Sequence, residues 1–504
     1  MILFSGGHYN YPDTGGYMRK ILLIVLVVFI LFSNLVYGDA DTKTKTIFEV
    51  NGTEVIFADV QPYKNNNGII LVPIRYLTEH MGGKAMWSSR SQQIIVTLNG
   101  NTLILSPGII EAKINGDKFE LESPITVKTD RSFAPLSMFL SLGAEINFNN
   151  SIHKVSITYK NSLSTIKDPF FYHQWSINDN FDYIDEHSNC RNALVDIHMI
   201  KAWQMFSAKK SVIIAIIDTG VDYSHEDLKL NIWSNKSEIA NDNIDNDNNG
   251  YIDDIHGWNF VENSNVVYSK LPIDDHGTHI AGIIAGSSNN IGIKGIISDP
   301  LVKIMILKVV DLTSNNNQQE NLINAITYAD KMGADICNIS FGTYFYDQKL
   351  KDVIDKSKMM FVVAAGNSNL QGQDLNVVPL YPAAYTSENI ISVANLQCDG
   401  KLNLTSNYGL KSVDIAAPGT SIWSTLTDNN YGYLTGTSMA TPMVTGILAM
   451  IYSNYNYISL YDAKKILLNS CEKIPGLEDK VFTGGIPNAS KALSYDKESI
   501  EKLK

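Results

Sequence analysis

The chain is 504 residues long, with 44% hydrophobic and 18% charged residues and a formal net charge of −12. Such a length predicts about three domains with ample core material, which excludes a disordered chain. The acidic balance argues against a nucleic-acid-binding face and against a polybasic membrane-surface protein, and only four cysteines exclude a disulfide-stapled scaffold.

Met18-Arg19-Lys20 precedes an apolar run over 21–32 that continues more weakly through Leu35-Val36-Tyr37-Gly38. A basic start, an apolar stretch and small residues at Gly38 and Ala40 predict a secretory signal peptide over residues 1–38, and hence a secreted protein. The polar, turn-like residues ahead of Met18 point to Met18 as the true start. The alternative is an uncleaved anchor, but the 16 residues of 21–36 fall short of the about 20 that span a bilayer. Cys190, Cys337, Cys398 and Cys471 have no zinc-ligand spacing. Cys337 falls in a predicted buried strand and reads as a free thiol. Pairing among the cysteines stays open at this point.

Residues 39–158 read as a first domain, in which 47–158 contain an internal repeat. Val50-Asn51-Gly52-Thr53 recurs as Ile114-Asn115-Gly116-Asp117, Leu71-Val72-Pro73-Ile74 as Phe133-Ala134-Pro135-Leu136, and Ile94-Ile95-Val96-Thr97 as Val155-Ser156-Ile157-Thr158. The period is 61 to 64 residues. Each unit reads as strand, tight Asn-Gly turn, strand, short helix (73–80 and 135–142) and two strands, with Pro73 and Pro135 placed in the first helical turn. The block resembles the paired copper-amine-oxidase N-terminal-like domain. Copper is not implied, because His80 and His153 are its only histidines and do not form a ligand cluster. Contact with a cell wall or surface through 39–158 is the partner this domain suggests.

A polar linker is predicted over 159–167, followed by a different pattern over 168–495. Buried apolar runs at 211–217, 304–310, 336–341, 359–364 and 390–395 alternate with helical stretches at 276–286, 320–332, 348–357, 438–453 and 461–470. Strand–helix alternation of this kind predicts an α/β fold with a doubly wound, mostly parallel sheet, preceded by the smaller α+β repeat domain.

Three segments carry chemistry. Asp218-Thr219-Gly220 ends a predicted strand, His276-Gly277-Thr278-His279 opens a small-residue helix, and Gly436-Thr437-Ser438-Met439-Ala440-Thr441-Pro442 opens another. Strand C-termini and helix N-termini meet on one edge of an open parallel sheet. There, Ser438 would serve as nucleophile, His276 as general base and Asp218 as the carboxylate that orients the imidazole. A fourth segment, Ala364-Ala365-Gly366-Asn367, would aim the Asn367 amide at an oxyanion. His279, His225 and His256 read as structural. The motifs lack the His-Glu-x-x-His of a metalloprotease and the Gly-x-Ser-x-Gly of a nucleophile elbow.

These segments, in the order Asp, His, Ser, resemble the subtilisin-like serine proteases, over about 325 residues. The resemblance implies a secreted endopeptidase that acts on proteins or peptides through an acyl-enzyme on Ser438, without a catalytic metal. It places Ser340, Phe341, Gly342, Ala365 and Gly366 along an extended substrate, with Tyr381-Pro382-Ala383 shaping the pocket. No fixed charge lies there, which predicts broad specificity leaning to apolar or aromatic residues. A monomer is expected, and no nucleic acid. Competing readings are a catalytically dead relative that only binds, and a surface-binding protein in which the protease is secondary.

Structural calcium is expected at two places. The acidic run 241–254 places Asp245, Asp247, Asn249 and Gly250 at calcium-loop spacing, with Asp253 or Asp254 needed to close the shell because His256 stands at the twelfth position. The family resemblance implies a second site from Asp227, the Asn289 side chain and the carbonyls of Ser287, Ile291 and Ile293, with Asp168 as a further candidate.

Overall fold

The computed structural model describes residues 46–158 (apart from 58, 89–90, 99–100, 115, 130 and 150–152), 168–177, 195–310 and 318–503. The expected signal peptide, the linker at 159–167 and Cys190 lie outside the described residues. Among the described residues, no helix is long and apolar enough to cross a membrane.

The repeat domain begins with β1 (Ile47–Val50), β2 (Thr53–Glu54), β3 (Tyr63–Lys64), β4 (Ile70–Pro73), helix α1 (Ile74–His80), β5 (Lys84–Ser88), β6 (Gln93–Leu98) and β7 (Asn101–Leu105). It continues with β8 (Glu111–Ile114), β9 (Asp117–Glu120), β10 (Thr126–Lys128), β11 (Arg131–Pro135), helix α2 (Met138–Ser141), β12 (Glu145–Asn149) and β13 (Lys154–Thr158). Asn51 and Gly52 both take positive φ, 49° and 84°, the geometry that an Asn-Gly hairpin turn demands. The repeat is visible in the pairing, since β4 of the first unit lies antiparallel to its counterpart β11, with Val72 opposite Ala134. The strands form three sheets around a core that includes Phe48, Leu77, Val96, Leu103, Phe139 and Ile157. Pro73 stands at the N-cap of α1, one residue before its first helical residue, whereas Pro135 departs from expectation. Pro73 and Pro135 are the last ladder residues of their strands, opposite Phe133 and Leu71, and α2 begins three residues after Pro135. A residue without an N–H suits the end of a ladder as well as the start of a helix.

The second region runs α3 (Met199–Met205), β14 (Val212–Asp218), β15 (Gly257–Asn259), α4 (Asp275–Ala285), β16 (Val302–Lys308), α5 (Gln318–Lys331) and β17 (Ile336–Ile339). Then follow α6 (Gln348–Lys356), β18 (Met360–Ala364), β19 (Ile390–Leu396), β20 (Ile415–Pro418), the hairpin β21 (Ile422–Leu426) and β22 (Asn430–Leu434), α7 (Thr437–Asn454) and α8 (Leu460–Asn469). Seven parallel strands lie in the order β15-β16-β14-β17-β18-β19-β20. Side chains alternate across the sheet as the two-residue period of a strand requires. Ile214 and Ile216 pack with α3, α4, α7 and α8, whereas Ala215 and Ile217 pack with α5 and α6. Both faces are therefore covered, which explains why these strands read as continuous apolar runs. β14 lies between β16 and β17, so the chain order switches direction there, and Asp218 is its last residue.

The sequence reading missed β15, β20 and the β21–β22 hairpin. The first two are only three and four residues long. The hairpin packs on α4 and carries polar groups that are satisfied by that helix, not by a pattern of its own. Cys337 and Cys471 are free and buried, and Cys398 is disulfide-bonded.

Candidate active site

Asp218 leaves β14 at the C-terminal edge of the sheet and turns toward α4. Its Oδ1 accepts from His276 Nδ1 at 2.7 Å, from the Thr219 amide at 2.8 Å and from Thr219 Oγ1 at 3.1 Å. Thr219 Oγ1 also accepts from the Gly277 amide at 3.1 Å, so the two motifs interlock. A Cβ at Gly277 would come within 2.2 Å of the Gly220 carbonyl oxygen, which leaves glycine as the residue that fits. Asp218 is buried, and its Oδ2 has no hydrogen-bond partner. The ring of His276 is about one-third exposed, with a side-chain accessibility of 34%. Burial pulls the imidazole pKa down, but the charge and hydrogen bond of Asp218 outweigh it and hold the ring above its ordinary value. Because Nδ1 donates to the carboxylate, Nε2 is left as the acceptor.

Beneath the pair lies a buried ion pair. Lys308 sits opposite Asp218 in the β14–β16 register and reaches Asp274, two residues before His276, while Asp274 Oδ2 accepts both the amide and the hydroxyl of Ser269 at 2.7 Å.

Ser438 is the second residue of α7, which packs against α4. Pro442 has no N–H to offer the Ser438 carbonyl four residues back, and that carbonyl accepts Ser340 Oγ at 3.3 Å instead. Ser438 Oγ in turn donates to the Ser340 carbonyl at 3.0 Å. The hydroxyl is therefore directed at the Ser340 segment, not hydrogen-bonded to His276. Asn367 Oδ1 accepts the Thr437 amide at 3.1 Å. Its Nδ2 and the Ser438 amide flank one spot, since a Cβ on Gly436 would lie 3.3 Å from the first and 3.6 Å from the second.

The predicted substrate segments lie on either side of this cluster. Ser340-Phe341-Gly342 follows β17 and Ala364-Ala365-Gly366 closes β18. Thr343 exchanges two 2.8 Å backbone hydrogen bonds with Tyr381, which brings the expected Tyr381-Pro382-Ala383 stretch to the pocket. Leu380 was not foreseen. It contacts the pocket glycines directly, and a single leucine between two loop segments carries no sequence signal.

The acidic loop departs from the predicted ligand pattern. Glu238, Asp247 and Asp254 bring carboxylate oxygens within 4.8 Å of one another. Asp245 is not among them; its oxygens accept the Asn249 and Gly250 amides at 2.9 and 2.8 Å. Asn249 is likewise a brace, donating to Asp247 at 3.2 Å and Asp254 at 2.8 Å. Asp253 holds the Asp242 and Asn243 amides, which leaves Asp254 as the inward residue. Glu238 lies outside the run and braces it too, its Oε1 accepting the Asn246 and Asp247 amides at 2.8 and 3.1 Å and its Oε2 the Asp253 amide at 3.0 Å.

At the second expected site, Asp227 Oδ2 accepts the Ile293 amide at 2.8 Å, while its buried Oδ1 has no partner. Burial pushes the Asp227 carboxyl up to about 7, against the hydrogen bonds it accepts. The carbonyls of Gly286, Gly292 and Lys294 accept hydrogen bonds, whereas those of Ser287, Ile291 and Ile293 accept none among the described residues. Asp168 holds the same loop by accepting the Asn289 and Asn290 amides at 3.0 and 2.9 Å.

A carboxylate–imidazole pair at the switch point of a doubly wound parallel sheet, next to a helix opened by serine, defines a hydrolase-type site on an α/β scaffold. The subtilase family model matches residues 209–490, and the chain belongs to that family. The copper amine oxidase N-terminal domain model matches residues 49–157. Subtilisin-like protease 1 of Plasmodium falciparum (isolate 3D7) is 34% identical over 303 residues, which are 56% of this chain and 43% of that protein. The major intracellular serine protease of Bacillus subtilis (strain 168) is 36% identical over 263 residues, 51% of this chain and 74% of that protein. A solved chain from the subtilase cytotoxin SubAB assembly covers 60% of this chain at 26% identity and a TM-score of 0.47, with 93% of its own length included. The chain spans about half the length of the Plasmodium relatives it matches.

Proposed function

We propose that the protein is a secreted serine endopeptidase. The observation that carries this reading is the 2.7 Å hydrogen bond from His276 to Asp218, set where the Ser438 helix packs on the His276 helix. Ser438 Oγ leaves the Ser340 carbonyl, gives its proton to His276 Nε2 and attacks the scissile carbonyl carbon. Asp218 keeps the imidazole in the Nδ1–H tautomer and stabilises the imidazolium. The Ser438 amide, an unpaired donor of the first helical turn, and Asn367 Nδ2 take the oxyanion. His276 then protonates the leaving amine, and water repeats the sequence on the acyl-enzyme. The freed Ser340 carbonyl becomes an acceptor for the backbone of an extended peptide, and no charged side chain belongs to the 340–342 and 364–366 segments, which supports uncharged residues before the cut.

Calcium is structural in this reading. The unpartnered buried Asp227 Oδ1 and the three free carbonyls fit a hard cation, with Asn289 beside them. Glu238, Asp247 and Asp254 would hold a second ion. Bound calcium would neutralise carboxylates that the fold brings together, and takes no part in the bond cleavage. Export rests on the basic and apolar run after Met18, and residues 39–158 are the candidate surface-binding part.

Fluorophosphonate labelling of the full chain tests the reading. Wild type should label and hydrolyse casein, and Ser438→Ala should do neither. A wild-type chain that calcium supports in a folded state but that never labels would make the protein a binding relative instead.

A further inference from the structure

The slot between the two substrate segments already contains a side chain of the chain itself. A Cβ built on Gly342 would lie 2.9 Å from Leu380 Cδ2, and one built on Gly366 would lie 2.4 Å from the same atom. One leucine methyl therefore lies beside both glycines, one from each substrate segment. Leu380 is only 7% exposed and belongs to the core beneath β17 and β18, so it is packed in place.

The walls are fixed as well. On one side, Thr343 is held to Tyr381 through both its amide and its carbonyl. On the other, Asn407 takes the Ala365 carbonyl with its side chain at 2.9 Å and the Gly366 carbonyl with its amide at 3.0 Å. Tyr344 OH donates to Gln373 Oε1 at 3.1 Å and ties the two chain segments together beyond the glycines. With the walls anchored and Leu380 packed beside both glycines, a ring entering between the segments would meet this leucine.

We propose that Leu380 sets the size limit of the pocket for the residue before the cut, so that the enzyme selects alanine, serine and glycine over phenylalanine, tyrosine and leucine. The inference rests on the peptidase reading and narrows it. Of the apolar and aromatic residues that the uncharged pocket admits by chemistry, only the small ones fit. A large side chain must either displace Leu380 from a packed core or stay in solvent, and both outcomes weaken transition-state binding.

The test uses the full chain, with active sites counted by fluorophosphonate. Peptides identical except for Gly, Ala, Ser, Leu, Phe or Arg before the cut are compared by kcat/KM. Wild type should favour Ala over Phe by at least about tenfold, the scale on which small changes in pocket fit discriminate. Leu380→Gly should raise the Phe-to-Ala ratio by at least about tenfold, with Leu380→Ala intermediate. A labelled wild type that cuts the Phe peptide as fast as the Ala peptide overturns the proposal, as does a folded Leu380→Gly enzyme with an unchanged ratio. Should that variant fail to fold, the wild-type ratio decides alone. A folded wild type that neither labels nor cleaves sinks the peptidase reading and this inference with it. A labelled enzyme that prefers Phe sinks only the role of Leu380.

Discussion

His279 Nε2 donates to the carbonyl oxygen of Ile422 at 2.9 Å, and the Gly432 carbonyl lies 3.1 Å from the same nitrogen. One imidazole N–H thus joins the His276 helix to both strands of the β21–β22 hairpin. The same hairpin gives the Thr427 amide to Asp275 at 2.9 Å, next to His276, and gives Tyr431 OH to Asp227 at 3.3 Å. It then leads directly into the Ser438 helix. The helix that carries the imidazole, the expected calcium carboxylate and the serine are all tied to this hairpin.

Stability should fall in acid through His279. Burial, reinforced by the nearby His276, pushes its pKa down to about 3, against the pull of the Gly432 carbonyl. The folded protein then keeps the ring neutral while the unfolded chain protonates it near 6.5. The contribution is complete above pH 6.5, declines as pH falls below that value and is gone below about pH 3. Melting temperature measured in steps from pH 8 to pH 4 in a Ser438→Ala background should decline through this window. A His279→Gln variant should decline less.

The activity profile should carry the opposite signature at His276. Its pKa is held above 6.5 by Asp218 despite the pull of burial, and the general base must be neutral. kcat/KM should therefore rise with pH through a midpoint above 6.5. Asp218→Asn removes the charge that raises it and should move the midpoint down. It should also lower kcat by about 10⁴-fold, because the imidazole loses its correct tautomer. Both values come from rate measurements across pH on one peptide.

Lys308→Met should destabilise the fold without touching the reacting atoms. The Lys308–Asp274 pair is buried, at 3% and 0% side-chain exposure, and removal of one partner strands a charge. Such a loss costs about 3–5 kcal/mol. Urea unfolding of the Ser438→Ala background would measure it, and the double change Lys308→Met with Asp274→Asn should recover a large part.

Chelation should lower the melting temperature, and the two expected ions should be separable. A site with free calcium at 100 times its Kd adds about 2.7 kcal/mol. Asp227→Asn should remove one part of the calcium-dependent stabilisation and Glu238→Gln another. A melting temperature unchanged by excess chelator would remove both sites.

The chemistry was legible in the sequence because it is locally encoded. Asp218 at the end of an apolar run, and His276 and Ser438 at the starts of small-residue helices, identify themselves by neighbours within a few positions. The sheet was legible for the same reason, since strands buried on both faces are uninterrupted apolar runs. Short β15 and β20 gave no such run. In the acidic loop, spacing predicted Asp245 and Asn249 as ligands, whereas the carboxylates that converge are those of Glu238, Asp247 and Asp254, and Glu238 lies outside the run that the spacing covered.

By itself the sequence determined the order of the three catalytic motifs, the strand–helix alternation and the repeat ahead of it, because each depends on residues close together in the chain. Only the tertiary structure decided that Leu380 packs beside Gly342 and Gly366, that His279 bridges to Ile422, and that Ser438 Oγ rests on the Ser340 carbonyl. These contacts join residues from 14 to 143 positions apart. They are set by how helices and loops pack over the sheet edge, which no local pattern specifies.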